Sequence, residues 1–402
     1  MNTRCPLIIG LLIGIYIVSL LVYIYGFRHI PAPLIIDIEA DNFMSPYDVT
    51  SIIRSPSSSS KNDTRNNETP SKPFQRKRII YSATDSYWNM AGLLSSFSQC
   101  QYNNCEGRIG VPLTKMADGD IIMFQFNKIR SFPNYSPDVR RRQYWLVYGA
   151  ESPAFRYNRW SKSLDENINA TMTYRHQSNI FIPYGTAVKI KNDQPVGNSN
   201  TALTKTKGAL VYISNCQSVG YNRLETVKQL QKYLDVDLYG GCGTKPPCAK
   251  GDSKCEAKLH SQYRFYLSFE NSMCSEYITE KFWSRLASPS MFVPVALGGL
   301  SVEEYSRVAP PRSFIHAYNF TSIEELGKYL KHLTEDDTAY DRYHEWRSEF
   351  QIRSGFPHSV CELCKLANEG PHLPARSDLS AQWNGACASE IHFEYNLSIA
   401  PL

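Results

Sequence analysis

Between residues 263 and 297 the chain reads Tyr-Arg-Phe-Tyr-Leu-Ser-Phe-Glu-Asn-Ser-Met-Cys-Ser-Glu-Tyr-Ile-Thr-Glu-Lys-Phe-Trp and then, after a short interval, Val-Pro-Val-Ala-Leu. No other stretch constrains the fold as tightly. Phe265, Leu267 and Phe269 alternate with Tyr266 and Ser268, the pattern of a strand. The strand stops at Glu270, Asn271 and Ser272. Tyr277 to Lys281 open a helix, and Val293 to Leu297 form a second buried strand. Strand, helix and strand in so short a span are the unit of a parallel sheet. In open α/β sheets ligands bind beyond the carboxyl ends of the strands, beside helix N-termini. Glu270, Asn271, Tyr277, Glu280 and Lys281 fall at that edge.

The rest of the chain supplies two such sheets. Ile79–Tyr81, Gly119–Phe124 and Gln143–Tyr148 read as strands of a first α/β lobe. Phe181 to Gly185 read as a closing turn into a linker, and the polar run 191–200 as a lobe boundary. A second lobe opens with the strand Gly208–Asn215. Leu224, Val227, Leu230 and Leu234 follow at helical spacing, and Val236 with Leu238 make another strand. Ser301 with Glu304 and Ser322 with Glu325 fit capping boxes. Ile323, Leu326, Leu330 and Leu333 form the apolar stripe behind the second of them. The expectation is an α/β chain with lobes at 78–200 and 201–367. The tail 368–402 carries no legible motif, and Cys387 has no visible partner.

The first part of the chain is different. Residues 6–25 are apolar, without a charge between Arg4 and Arg28. At a helical rise of about 1.5 Å, twenty residues cross a bilayer core of about 30 Å. The aromatic flank Tyr23, Tyr25, Phe27 and the lack of a small-x-small site favour an anchor over a cleaved signal. Residues 1–5 would be a cytoplasmic tail. Residues 26–77, with their serine run and Asn/Thr-rich stretch, would be a stem too polar to bury a core. Asn62, Asn67, Asn169, Asn319 and Asn396 head Asn-x-Ser/Thr acceptor triplets. The 11 cysteines, less Cys5 beside the anchor, leave an even number for an oxidising compartment. Net charge is only +5. The basic runs at 76–78 and 140–142 lack interleaved aromatics, so they read as solvated faces and not as a nucleic-acid site.

Two motifs raise other chemistry. Asp118-Gly-Asp120 and Asp235-Val-Asp237 resemble acidic metal-binding pairs, yet one precedes a strand and the other lies inside one. Both read as turn or surface carboxylates. Cys361 and Cys364, spaced Cys-x-x-Cys, lack the second ligand pair that zinc needs and the context of a redox dithiol.

The Phe-Glu-Asn-Ser and Tyr-Ile-Thr-Glu-Lys elements closely resemble the donor-binding signature of the α1,3-fucosyltransferases. The resemblance runs over about residues 78–365 and implies two Rossmann-like lobes in the glycosyltransferase-B arrangement. It implies an acceptor-side lobe at 78–200 and a GDP-fucose-binding lobe at 201–367. Glu151, in Gly-Ala-Glu-Ser-Pro, matches the element that carries the family's candidate base. Ser214, Asn215, Arg223, Tyr266, Glu280 and Lys281 become donor-binding candidates beside Glu270, Asn271 and Tyr277. With Arg223 and Lys281 as cations, no metal or other cofactor is expected. Cys100 and Cys105 are expected to pair with Cys361 and Cys364 in an order left open, closing long loops and stapling the lobes together. The cysteine pattern around Cys216, Cys242, Cys248, Cys255 and Cys274 is similar to the branch that modifies the Asn-linked GlcNAc of the N-glycan core. The runner-up acceptor is LacNAc or LacdiNAc on antennae. A silent glycan-binding relative would lack Glu151 or Lys281, and both are present. The family implies a Golgi membrane enzyme anchored through 6–25, with its catalytic part lumenal. In Tyr174 to Asn179 the family's acidic residues are replaced by Gln177 and Asn179, a change on the acceptor side.

Overall fold

A computed structural model describes residues 76–83, 97–154, 162–190, 202, 205–218, 220–249, 251–355, 359–370 and 379–388. The anchor at 6–25, nearly all of the stem, the boundary at 191–200 and the acceptor triplets of Asn62, Asn67 and Asn396 lie outside these residues. Among the described residues no helix is long and apolar enough to cross a membrane.

The first sheet has six parallel strands in the order β2-β1-β3-β4-β5-β6. They are β1 (Arg78–Ser82), β2 (Cys105–Arg108), β3 (Ile121–Gln125), β4 (Tyr144–Gly149), β5 (Ala170–Thr173) and β6 (Ile180–Phe181). β3 is buried throughout and β4 up to its last residue. Parallel sheets covered on both faces require such continuous apolar runs. Two short helices, α1 (Pro137–Arg141) and α2 (Lys162–Asp165), follow β3 and β4. Asp120 is a buried carboxylate and not a surface one. It accepts from the Ile79 N–H at 2.9 Å and from Arg78 at 2.9 Å, tying β1 to the start of β3. Asn169 is likewise buried, at 2% exposure. Its amide oxygen takes the Trp145 N–H at 2.8 Å and its nitrogen donates to the Gln143 carbonyl at 3.2 Å. That position cannot present a glycan in the folded protein, whereas Asn319 is exposed.

The second sheet has the order β12-β11-β10-β8-β9, again all parallel. Its strands are β8 (Lys207–Tyr212), β9 (Val236–Tyr239), β10 (Tyr263–Phe269), β11 (Val293–Leu297) and β12 (Ile315–His316). The helices around it are α3 (Arg223–Leu230), α4 (Ser253–His260), α5 (Glu280–Leu286), α6 (Val302–Ser306) and α7 (Ile323–Glu335). Ile323, Leu326, Leu330 and Leu333 pack with Val227, Leu230 and Phe265 in one core. Ser322 caps α7 by accepting the Glu325 N–H at 3.1 Å, while the Glu325 carboxylate turns back to Thr321. At α6 the expected box does not close. Ser301 makes no side-chain cap bond to the helix backbone, and Glu304 reaches the N–H groups of Leu300 (3.0 Å) and Glu276 (2.9 Å).

Three features revise the expected layout. β7 (Gly185–Lys189) is a strand and not only a linker, because it pairs antiparallel with β13 (Phe350–Ser354). Gly185 lets β7 run close over α5, since a Cβ there would meet the Trp283 ring at 2.5 Å. Beyond α8 (Asp337–Asp341), helix α9 (Ser359–Glu369) returns to the first sheet. It packs Val360, Leu363, Cys364 and Ala367 against Ile80, Ile121 and Leu146. The bridges Cys100–Cys361 and Cys105–Cys364 therefore fasten α9 to its own sheet and do not staple one lobe to the other. Finally the tail contains α10 (Leu379–Asn384). Its Leu379 and Trp383 join the core of the first sheet, and Cys387 is bonded to Cys274.

Candidate active site

The site starts from one buried carboxylate. Glu270 follows β10 with no exposed surface, and a charge there must be paired. Thr279, also fully buried, caps α5 and supplies the partners. Its N–H donates to Glu270 Oε1 at 2.8 Å, and its hydroxyl lies 2.9 and 2.8 Å from the two carboxylate oxygens. Lys281 Nζ stands 3.3 Å from Glu270 Oε2, 3.0 Å from Glu280 Oε1 and 3.0 Å from Thr279 Oγ1. Gly298, at the end of β11, makes room for this cluster. A Cβ there would meet Glu270 Cγ at 2.5 Å and the Tyr305 hydroxyl at 2.7 Å.

The two partners pull in opposite senses. Burial raises the Glu270 carboxyl and favours its neutral form, with Lys281 opposing. Burial also disfavours charge on Lys281, but Glu270 and Glu280 outweigh it and raise the ammonium above its ordinary value. The direct contacts decide for the charged pair, because the carboxylate has three close donors. Lys281 is thus a cation fixed at a helix start, part-exposed, at the carboxyl edge of the sheet.

The first sheet meets this edge through its own strand end. Glu151 follows β4 and is exposed, and its Oε2 accepts from the Tyr277 hydroxyl at 2.9 Å. Next to it the buried hydroxyls of Ser152 and Ser272 are 2.9 Å apart. The Tyr184 hydroxyl donates to the Ala150 carbonyl at 2.7 Å. The Glu-Ser-Pro and Phe-Glu-Asn-Ser elements, more than a hundred residues apart in sequence, are in direct contact. Tyr277 is itself wedged among Tyr174, at 5.2 Å between ring centroids, and Tyr184, at 6.4 Å.

The structure brings Glu151, Glu270, Asn271, Tyr277, Glu280 and Lys281 together. Ser214 and Asn215, both exposed, lie at the same edge beyond β8. They are backed by Gly240 and by the Cys216–Cys242 bridge. Two candidates fall elsewhere. Tyr266 is 3% exposed in the middle of β10 with Arg285 over its ring at 4.3 Å. Four residues at a strand rise of about 3.3 Å separate it from Glu270, roughly 13 Å. Arg223 is 4% exposed, and its guanidinium donates to the carbonyls of Asn215 (2.6 Å) and Phe269 (3.3 Å). It ties the ends of β8 and β10 together instead of presenting a charge outward.

Other contributors were not singled out from sequence. Thr279 is the hub of the cluster, and the Thr-Glu-Lys helix start is the signal that marks it as a cap. Glu276 adopts a left-handed backbone at φ 59°. Its carboxylate takes the His176 N–H at 2.9 Å and approaches Arg175 Nε at 4.0 Å. The segment Tyr174 to Asn179 is therefore bound to the loop that precedes α5, and Asn179 serves locally by accepting the Thr171 N–H at 2.9 Å. Among the described residues no group of three or more His, Cys, Asp or Glu side chains is arranged to hold a metal ion. Asp237 is paired with Lys207 at 2.8 Å, and Cys361 and Cys364 are in disulfides.

Comparison with known proteins bears on this geometry directly. Residues 202–381 match glycosyltransferase family 10 (fucosyltransferase) C-term, and residues 75–185 match the fucosyltransferase N-terminal family. The chain belongs to glycosyltransferase family 10. Its sequence is 33% identical over 329 residues to the Caenorhabditis elegans α-(1,3)-fucosyltransferase fut-1, covering 78% of this chain and 71% of that protein. It is 32% identical to Drosophila melanogaster α-(1,3)-fucosyltransferase C, covering 72% and 70%. With Drosophila glycoprotein 3-α-L-fucosyltransferase A the identity is 33%, covering 72% and 56%. The protein is thus a glycosyltransferase of the α1,3-fucosyltransferase group. The two family segments coincide with the two sheets, and the Glu151–Tyr277 contact lies where they meet.

Proposed function

We propose that this fucosyltransferase transfers L-fucose from GDP-β-L-fucose, with inversion, to O3 of the Asn-linked GlcNAc of N-glycans. The observation that carries the reading is the hydrogen bond between Glu151 and Tyr277, which sets an exposed carboxylate from one sheet against the helix start bearing Lys281 on the other. Inversion takes one displacement and one base. The acceptor hydroxyl oxygen bonds to the anomeric carbon while Glu151 takes its proton. The bond from that carbon to the phosphate oxygen breaks, and its electron pair leaves with GDP. Lys281 meets the charge that develops on the departing diphosphate. Ser214 and Asn215 border the nucleotide, Glu280 faces sugar hydroxyls, and no metal or other cofactor is needed. Glu270, Thr279 and Arg223 hold the edge in shape.

The acceptor follows from the cysteine pattern and from similarity to a relative named as acting on glycoprotein. Fucosylation of LacNAc antennae is the second reading, kept open by the substituted Gln177 and Asn179 on the acceptor side. The setting is the Golgi membrane, with residues 6–25 as a type II anchor and the catalytic part in the lumen. Product analysis with the full-length chain, GDP-fucose and two acceptors tests it. Fucose on the innermost GlcNAc of a glycopeptide, kept in EDTA and lost in Glu151→Gln, is the expected result. Fucose on LacNAc alone moves the acceptor to the antennae, and loss in EDTA contradicts the metal-free reading.

A further inference from the structure

The amino-terminal edge of the second sheet, opposite the donor edge, holds a second concentration of charge. Lys205 stands just before β8 and is 6% exposed. Its ammonium donates to the carbonyls of Ser290 (2.6 Å) and Ser261 (3.4 Å), in the turns that precede β11 and β10. Tyr340 faces the same region, donating to the carbonyls of Arg264 (2.8 Å) and Met291 (3.2 Å). The His344 ring packs on Tyr340 at 5.2 Å. His344 and Arg347 lie three apart in the 3₁₀ turn Arg342–Ser348, where side chains at that spacing stand over one another.

Lys205 and Tyr340 are satisfied by carbonyls, but among the described residues His344 and Arg347 are not. His344 is 4% exposed and neither ring nitrogen is hydrogen-bonded. Arg347 lies over the Trp346 ring at 4.4 Å, and its Nε and Nη2 are buried without a hydrogen-bond partner. The nearby carboxylates serve other groups. Asp337 binds Arg264 at 2.6 Å, and Asp341 accepts the Ala202 N–H at 3.0 Å. Burial, with Arg264 and Arg347 adding repulsion, lowers Lys205 to about 8. Burial likewise lowers Arg347 to about 10. Buried unpaired donors and uncompensated cations are costly, and a native fold normally supplies their counter-charge.

We propose that this edge is a binding site for a small tetrahedral oxyanion of the phosphate or sulfate class, held by Arg347, His344 and Lys205. The Nε and Nη2 edge of Arg347 offers the two-pronged donor that such an anion accepts. His344 adds an N–H, and Lys205 its remaining ammonium hydrogen. The half-buried Arg347 marks the entrance. The bound anion locks the turns before β10 and β11 and so stiffens the sheet from the end away from chemistry.

The test is thermal unfolding of the full-length protein titrated with inorganic phosphate or sulfate at constant ionic strength, with saturating GDP to occupy the donor edge. A saturable rise of about 2–4 °C at ten times Kd is expected. The rise should persist in Lys281→Met and disappear in Arg347→Met. If Arg347→Met is not recovered folded, Arg347→Lys and His344→Gln, each weakening binding at least tenfold, give the same reading. A midpoint that tracks ionic strength alone overturns the proposal. So does a phosphate effect that is lost in Lys281→Met but kept in Arg347→Met, which places binding at the donor edge. Occupation of the site by a carboxylate of a polypeptide, seen as no response to either inorganic anion, also overturns it.

Discussion

The two carboxylates at the junction of the sheets are opposites. Glu270, on the second sheet, has no exposed surface and is held by Thr279 and Lys281. Glu151, on the first, is exposed and, among the described residues, is held by the Tyr277 hydroxyl. A carboxylate with several fixed donors is a scaffold, because its charge is needed to balance a neighbour. A carboxylate with open surface is one that a substrate can reach. The same functional group is built into the frame on one side and left available for chemistry on the other.

The largest effect should come from breaking the frame. Glu270→Ala leaves Lys281 without its buried partner, and removing one member of such a pair costs about 3–5 kcal/mol. Urea unfolding should show that loss, whereas Glu151→Ala should unfold close to wild type. On the first sheet the fastening is covalent. Replacing Cys100, Cys105, Cys361 and Cys364 together by serine should cost about 2–4 kcal/mol, since their two bridges close the same long loop, spanning 261 and 259 residues. Limited proteolysis should then release α9 first. A smaller effect is expected where the two sides touch. Tyr277→Phe removes a donor to a charged acceptor at an exposed position, so kcat should fall about tenfold. In a cycle with Glu151→Gln the tyrosine change should add nothing further.

The smallest contrast is in pH. His260, His316 and His344 all belong to the second sheet's half, and burial lowers them to about 4, 3 and 3. Unfolding lets each return toward its ordinary value of about 6.5 and bind a proton. Their contribution is complete above about pH 6.5 and is lost as pH falls toward 4. Hydrogen exchange at pH 5 should open β10 and β11 before β3 and β4. The reverse order would remove the asymmetry.

How far these features can be read from the chain depends on range. β10, α5 and β11 were legible because strand alternation, a helix start and a buried run sit within a few dozen residues. The same holds for the α7 stripe and for β3 and β4. Position on the sheet edge followed for Glu270, Lys281 and Glu151. What escaped is long-range. Arg223 reads as a cation at a helix start, and only the folded carbonyls of Asn215 and Phe269 show that its donors face inward. Asn169 carries an acceptor triplet, but burial beneath Trp145 is invisible in three residues. α9, α10 and Cys387 return to partners far away in sequence, where local periodicity has nothing to report.

The division of labour between the two carboxylates rests most directly on Glu151. The decisive measurement is kcat for Glu151→Gln at saturating donor and acceptor, with the affinity for GDP measured on the same preparation. A loss of about 10²–10⁴ in kcat with unchanged GDP affinity is the predicted result. Retention of kcat within a few-fold, or loss of GDP binding in its place, would contradict the assignment of Glu151 as the base.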